Sequence, residues 1–377
     1  MALGPTDPPA AKVALVHDYL TQRGGAERVV ALLCETFPQA PLHTSFYEPP
    51  QTFAEFENVD VRASRLNRIA RFRRDPRTAL ALLAPTFSTM RVDADVVLAT
   101  SSGWAHGVKT SAPLVVYCFA PARWLYQSDR YVGTPGSSSK GFQRLAKTAI
   151  TLGGSALRSW DQRAAHRAER YLTTSHAAAR MIKDAYGFAA EVVPPPPALE
   201  HAGPVTPVEG LEPGFILTVS RLLPYKNVDV TLEVARRRPH QQLVVVGDGP
   251  LREALERDAP PNVRFIQGVD DATLRWLYAK ASVLIAPSFE DYGLTPLEAA
   301  SMGTPTVALR AGGYLDTIIG GETGIFFDSI DPVDIINALD QAAPFELDPS
   351  VLRGHAARFS RERFASRMQA VINEVAP

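Results

Sequence analysis

The feature that most constrains this chain is a repeated alternation. Short apolar, β-branched runs are each followed by a loop and then by a segment with helical spacing. The runs occupy residues 12–17, 95–100, 114–119 and 171–174, then 215–220, 242–246, 263–269, 283–286, 306–309 and 324–327. They have strand length and lack the polar alternation of a half-exposed sheet, so they predict strands buried on both faces. Parallel strands need long crossovers, and the helical segments between runs supply them. The expectation is an α/β protein built on doubly wound parallel sheets.

At 377 residues the chain exceeds one ordinary core, and a change of composition shows where it divides. Four prolines at 194–197 and a Pro/Gly-rich stretch to Pro213 read as a stiff connection. This predicts a first domain over 1–195, a linker over 196–213 and a second domain from 214. Thirty-nine basic and 40 acidic side chains give a net charge of −1, so no global field recruits nucleic acid. Cys34 and Cys118 have no metal-ligating neighbours in the sequence and predict buried thiols rather than a disulfide. Without a signal-like leader or an apolar run of about 18–20 residues, the expected location is cytoplasmic.

Ligands of open parallel sheets lie beyond the carboxyl ends of strands, and chemistry-bearing residues gather at those ends here. Gly24-Gly25-Ala26-Glu27 follows the first run and precedes a helical pattern. The glycine pair suits either close approach of backbone to a ligand or a plain tight turn. It is not GxGxxG, which argues against a dinucleotide-binding oxidoreductase. Arg221 and Lys226 follow the run at 215–220, where a fork of donors and a point charge suit a diphosphate. Glu290 lies in the loop after 283–286. Thr295-Pro296 reads as N-cap and first residue of the next helix, with Glu298 in its first turn. Two carboxylates flanking a helix N-terminus suggest a ligand with hydroxyls on both sides of a phosphate, as in a nucleotide sugar. Thr295-x-x-Glu298 equally fits a capping box, with Glu298 turned back to the N-cap amide.

Three further stretches carry open readings. Seven arginines lie between 62 and 77, interleaved with Leu66, Ile69 and Phe72. They describe either a solvated face or a peripheral contact with an anionic membrane surface, which would be the inner face. Asp93-Ala94-Asp95 matches a DxD metal pattern but reads better as a loop end, so no metal is expected. Gly133 to Ser139 reads as a flexible lid or acceptor segment.

Taken together, the glycine pair, Ser220-Arg221 with Lys226-Asn227, Val246-Gly-Asp-Gly-Pro250 and Glu290-x7-Glu298 resemble a retaining glycosyltransferase of family 4. These are the group 1 nucleotide-sugar transferases, with the GT-B fold of two Rossmann-like domains facing a central cleft. The tail around Phe359 to Phe364 is similar to the family's terminal helix, which implies a second domain over 214–355 and a helix over 356–377 returning to the first. Val16-His-Asp-Tyr19 and Arg158-Ser-Trp-Asp161 resemble the branch of bacterial mannosyltransferases of surface glycan assembly.

The resemblance implies roles. Arg221 and Lys226 would neutralise the donor diphosphate, and Glu290 would hold the transferred sugar. Glu298 would hold the ribose. Gly25 and the amides of Leu294 and Thr295 would meet the phosphates, and the Val269 backbone would read the base. Reaction would proceed by same-face attack without metal or cofactor, the leaving phosphate taking the acceptor's proton. The partners implied are a nucleotide sugar, GDP-linked ahead of UDP-linked, and a glycan or lipid-linked acceptor. A same-fold epimerase and an inactive nucleotide-sugar-binding module remain alternatives. One departure stands out: where many members of the branch read Cys-His-Thr/Ser-Pro, this chain has Cys118-Phe119-Ala120-Pro121. That His is placed near the sugar's C6 hydroxyl. Phe119 in its place suits a 6-deoxyhexose such as fucose, or packs in the core while His17 or His106 substitutes, with Asp18 beside them.

Overall fold

The structure, a computed structural model, describes residues 11–126, 154–342 and 348–377. The segment from Gly133 to Ser139 and the first ten residues lie outside these. In the first half, β1 (Val13–His17), β2 (Leu42–Thr44), β3 (Val61–Ala63), β4 (Val96–Ser101), β5 (Leu114–Cys118), β6 (Arg170–Thr173) and β7 (Glu191–Val192) form one sheet. Its order is β3-β2-β1-β4-β5-β6-β7, and the strands pair in parallel throughout. In the second half, β8 (Ile216–Val219), β9 (Leu243–Val246), β10 (Val263–Ile266), β11 (Val283–Ala286), β12 (Thr306–Leu309) and β13 (Gly324–Phe327) form another. It is ordered β10-β9-β8-β11-β12-β13 and is also parallel.

The central strands of both sheets are buried on both faces, which is why they are largely apolar, while the edge strands β3, β7 and β10 are only partly buried. Ala14 and Val16 of β1 join one core cluster with Val97 and Ala99, while Leu15 joins another with Val96 and Leu98. The second sheet divides in the same way, Ile216 and Val245 to one side, Leu217 and Val244 to the other.

The final helix, Arg361–Val375, is capped by Ser360 and buries Phe364, Met368, Val371 and Ile372. That spacing is one helical face. It packs into the first-domain cluster with Leu33, Leu98 and Tyr117, so the chain ends on the domain where it began. Arg367 pairs with Glu191 of β7 at 2.6 Å. Cys34 and Cys118 are free and buried.

Two readings need correction. Strands β2 and β3 were not anticipated, because three residues at a sheet edge leave too short a pattern to detect. The arginine-rich stretch is not one helical face: it breaks into the end of β3, a 3-10 turn at Arg65–Arg68, a short helix Ala70–Arg74 and a turn at Pro76–Ala79. Arg62 pairs with Asp60 and Arg73 with Glu48, while Arg65, Arg68, Arg71 and Arg74 are exposed beside Ile69. Among the described residues no helix is long and apolar enough to cross a membrane.

Candidate active site

Each sheet has one place where successive connections leave in opposite directions: between β1 and β4, and between β8 and β11. Such a switch point opens a crevice at the carboxyl ends of its strands. Arg221, Lys226 and Glu290 stand at the second crevice. Asn227, with φ of 53°, is the only non-glycine residue at positive φ among those described. Its side-chain amide donates to Pro287 O at 2.9 Å, tying the loop after β8 to the loop after β11.

This tie brings Lys226 Nζ onto Glu290 Oε1, which also accepts from Ser288 Oγ at 2.7 Å. Gly313 N–H donates to the Glu290 carbonyl at 2.8 Å. The loop after β12 presses so closely here that a Cβ on Gly312 or Gly313 would strike the backbone of Glu290 or Tyr292. Arg221 is exposed, its guanidinium 3.3 Å from the Tyr225 hydroxyl. Val269 is half-buried after β10, in a turn opened by Gly268 at φ 64°.

The helix after Glu290 runs from Leu294 to Met302, with Gly293 as N-cap at φ 102°. Thr295 is therefore inside the first turn rather than at the cap, because glycine accepts the left-handed conformation that lets the helix begin earlier. No side chain caps this helix, so the capping-box reading of Glu298 falls. Glu298 is 7% exposed and points elsewhere. It accepts from the Tyr278 hydroxyl at 2.8 Å and from the backbone of Ala198 and Leu199, and burial pushes its pKa up to about 7. The amides of Leu294 and Thr295 belong to the open first turn of that helix.

Across the cleft, Gly24 and Gly25 open the helix Gly25–Thr36. Each is glycine for a different reason. A Cβ on Gly24 would lie 2.6 Å from Glu27 Oε2, while one on Gly25 would lie 2.9 Å from Leu294 Cδ1 of the opposite domain. Glu27, 1% exposed, accepts from Gln22 at 2.9 Å through Oε1, while Oε2 has no hydrogen-bond partner among the described residues. Burial raises its pKa. Glu27 stands in the glycine motif of the sequence, but a carboxylate in a helix's first turn reads as ordinary dipole complementation and suggests no further role.

The first crevice is closed. Asp18 is 3% exposed and accepts the backbone N–H groups of Ser102, Trp104 and Ala105 at 2.6, 3.2 and 2.6 Å. Burial outweighs those bonds and lifts its pKa to about 6. His17 Nδ1 lies 2.9 Å from Thr100 Oγ1, and burial lowers its pKa to about 4, so the ring is neutral.

His106 is fully buried between Ser101 Oγ at 2.8 Å and Asp161 Oδ1 at 2.9 Å, and Tyr126 donates to the other Asp161 oxygen at 2.8 Å. Asp18 and His106 are thus both buried around the loop between β4 and the following 3-10 turn. Phe119 is half-buried, edge-on to Tyr117 at 5.5 Å and to His17 at 6.5 Å. Asp93 and Asp95 precede β4 at its amino end, opposite the rim that carries the crevices, and Asp95 accepts from the Lys12 amide at 2.8 Å.

The chain is similar to known proteins. Residues 23–200 match the model described as Glycosyltransferase Family 4, and residues 207–346 match Glycosyl transferases group 1. A glycogen synthase of Thermus thermophilus is 34% identical over 173 residues, 44% of this chain and 40% of that protein. A GDP-mannose-dependent alpha-(1-6)-phosphatidylinositol monomannoside mannosyltransferase of Mycolicibacterium smegmatis is 35% identical over 138 residues, 32% of this chain and 36% of that protein. The match therefore spans less than half the length of these relatives. Among solved structures, an apo lipopolysaccharide outer core galactosyltransferase superposes with TM-score 0.65 at 18% identity, covering 96% of this chain and 99% of that one. The Anabaena protein HepE in complex with UDP superposes at 0.69 with 17% identity, covering 96% and 100%.

Proposed function

The chain belongs to glycosyltransferase family 4, the group 1 glycosyltransferases, and on that premise we propose that it transfers a hexose from a nucleotide sugar to a glycan or lipid-linked acceptor. The observation that carries this reading is the Lys226–Glu290 pair at the β8/β11 crevice, with exposed Arg221 in the same loop after β8 and Gly25 of the first domain set against Leu294. A donor diphosphate offers Lys226 more negative charge than one carboxylate does. It would take Lys226 from Glu290, leaving that carboxylate to accept hydroxyls of the transferred sugar. The Leu294 side chain occupies the space beside Gly25, so the domains part to admit the phosphates.

Arg221, Lys226 and the amides of Leu294 and Thr295 then stabilise charge as the bond from the anomeric carbon to phosphate breaks. The acceptor oxygen bonds to that carbon from the same face, and its proton passes to the leaving phosphate, so configuration is retained. Glu298 holds the ribose and Val269 the base. Because Arg221 and Lys226 already supply the neutralising charge, transfer proceeds without a metal. The GDP-mannose dependence of the Mycolicibacterium relative supports GDP ahead of UDP, with mannose or a 6-deoxyhexose such as fucose as the sugar. The exposed arginines at 65, 68, 71 and 74 with Ile69 provide a peripheral contact with anionic lipid.

The test is a panel of nucleotide sugars, scored by thermal shift and by release of sugar, with the product anomer read by NMR. A bound donor raises the melting temperature. Stabilisation without sugar release would identify an inactive binding module instead. An inverted product, or activity lost to chelator and restored by Mg²⁺ or Mn²⁺, would overturn the retaining, metal-independent mechanism.

A further inference from the structure

The loop that carries Glu290 is also where the second domain meets the first. Asp291, the next residue, is bound twice across the cleft. Its carboxylate accepts from Arg123 Nη2, and its backbone carbonyl accepts from Ser175 Oγ. Both partners are themselves anchored. Ser175 caps the helix His176–Tyr186, accepting from Ala178 N–H at 2.9 Å, and Arg123 opens the short helix Arg123–Tyr126 that follows β5 and Phe119. Tyr292 adds a third crossing bond from its hydroxyl to Pro195 O at 2.5 Å. The Asp291 side chain is 13% exposed, so its charge faces Arg123 rather than solvent.

We propose that Arg123 and Asp291 are positioning residues for transfer: their ion pair sets Glu290 against the first domain when the cleft is closed. This rests on the glycosyl-transfer reading of the site. One peptide unit separates Asp291 from Glu290, whose carbonyl and carboxylate are held by Gly313 and Lys226 within the second domain. The loop is thus fixed to its own domain through Glu290 and to the other through Asp291. Releasing the Asp291 side leaves Lys226 and Arg221 in place within the second domain, but it frees the approach of the first domain, where the acceptor would bind on this reading. The consequence is a loss in turnover rather than in donor binding, since small displacements of reacting groups cost rate steeply.

The test is a charge swap. Arg123→Asp and Asp291→Arg should each lower kcat for transfer at least about tenfold with donor KM changed less than about threefold, and the double variant should recover most of the loss. Spin labels on Glu57→Cys and Glu253→Cys, exposed positions in the two domains, report closure directly, because Cys34 and Cys118 are buried. Each single variant should broaden and lengthen that distance, and the swap should restore it. The distance needs no substrate, so it still decides the matter if no nucleotide sugar proves to be a donor. Wild-type kcat and distance in both single variants would overturn the proposal. So would a swap no better than either single change, or a fall in melting temperature alone.

Discussion

At the β1/β4 crevice Asp18 is 3% exposed and accepts three backbone amides, whereas at the β8/β11 crevice 26% of the Glu290 side chain is exposed and Arg221 stands in solvent. The topology is the same: a parallel sheet, a switch point, and polar residues just past the strand ends. In the first domain those residues hold a loop, and the chain from Ser101 through His106 and Asp161 to Tyr126 is internal. In the second they pair with one another while Glu290 and Arg221 keep exposed surface. A switch point therefore marks where a site can be, while burial and the partners already present decide whether it is one.

The comparison is broken most directly at Lys226 and Glu290. Lys226→Ala and Glu290→Ala should each lower turnover at least about 10²-fold while leaving the melting temperature close to wild type, as expected for electrostatic groups at a leaving phosphate. A Lys226 variant with near-normal turnover would show that the second crevice is no more catalytic than the first. The converse substitution is Asp18→Ala, which removes an acceptor from three backbone amides, that of buried Ala105 among them. It should lower stability by about 2–4 kcal/mol, read by denaturant unfolding, with turnover recovering on cooling. Lost turnover in a variant of unchanged stability would move Asp18 into the site.

Titration separates the crevices next. Asp18 and Glu298 have folded pKa values raised to about 6 and about 7 from ordinary values of 3.8 and 4.5. For an acid raised in this way, the contribution to stability is fully present below the unfolded pKa. It is lost as pH rises through the folded one. Asp18→Asn should flatten the melting-temperature profile between about pH 4 and 6, and Glu298→Gln between about pH 4.5 and 7. Unchanged profiles would mean that both carboxyls are better solvated than their burial implies. The smallest effect is expected at Phe119, beside His17 and Tyr117 in the first domain. Phe119→His should shift preference from GDP-fucose toward GDP-mannose by about tenfold or less, the scale of one buried hydroxyl gaining a partner. A wild type that already prefers GDP-mannose at matched concentrations would assign Phe119 to core packing.

Some of this was legible in the residues and some was not. Ser175 and Asp270 are N-caps of the kind a local pattern signals, and both accept from an amide three residues on. Thr295 had the same local signature and does not cap, because Gly293 at φ 102° starts the helix ahead of it. Lys226 and Glu290 were nominated from their places after two apolar runs. Their contact joins loops 64 residues apart, which no periodicity reports. Asp18 and His106 were nominated for the same kind of reason and turned out to be internal, since sequence position carries no measure of burial.

By itself the sequence determined what local physics controls. Apolar runs of strand length bounded by loops predict strands buried on both faces, and helical spacing between them requires parallel crossovers and hence two crevices at strand ends. The terminal helix's apolar face, Phe364, Met368, Val371 and Ile372, is likewise a matter of spacing. Only the tertiary structure decided which polar residues keep a free valence. It seated Asp18 under three amides, placed Leu294 beside Gly25, turned Glu298 toward Tyr278 and the linker, and set Asp291 on Arg123. Each depends on a partner far away in the chain. A buried charge takes whatever partner the packed chain presents, and that choice is made only when distant segments pack together.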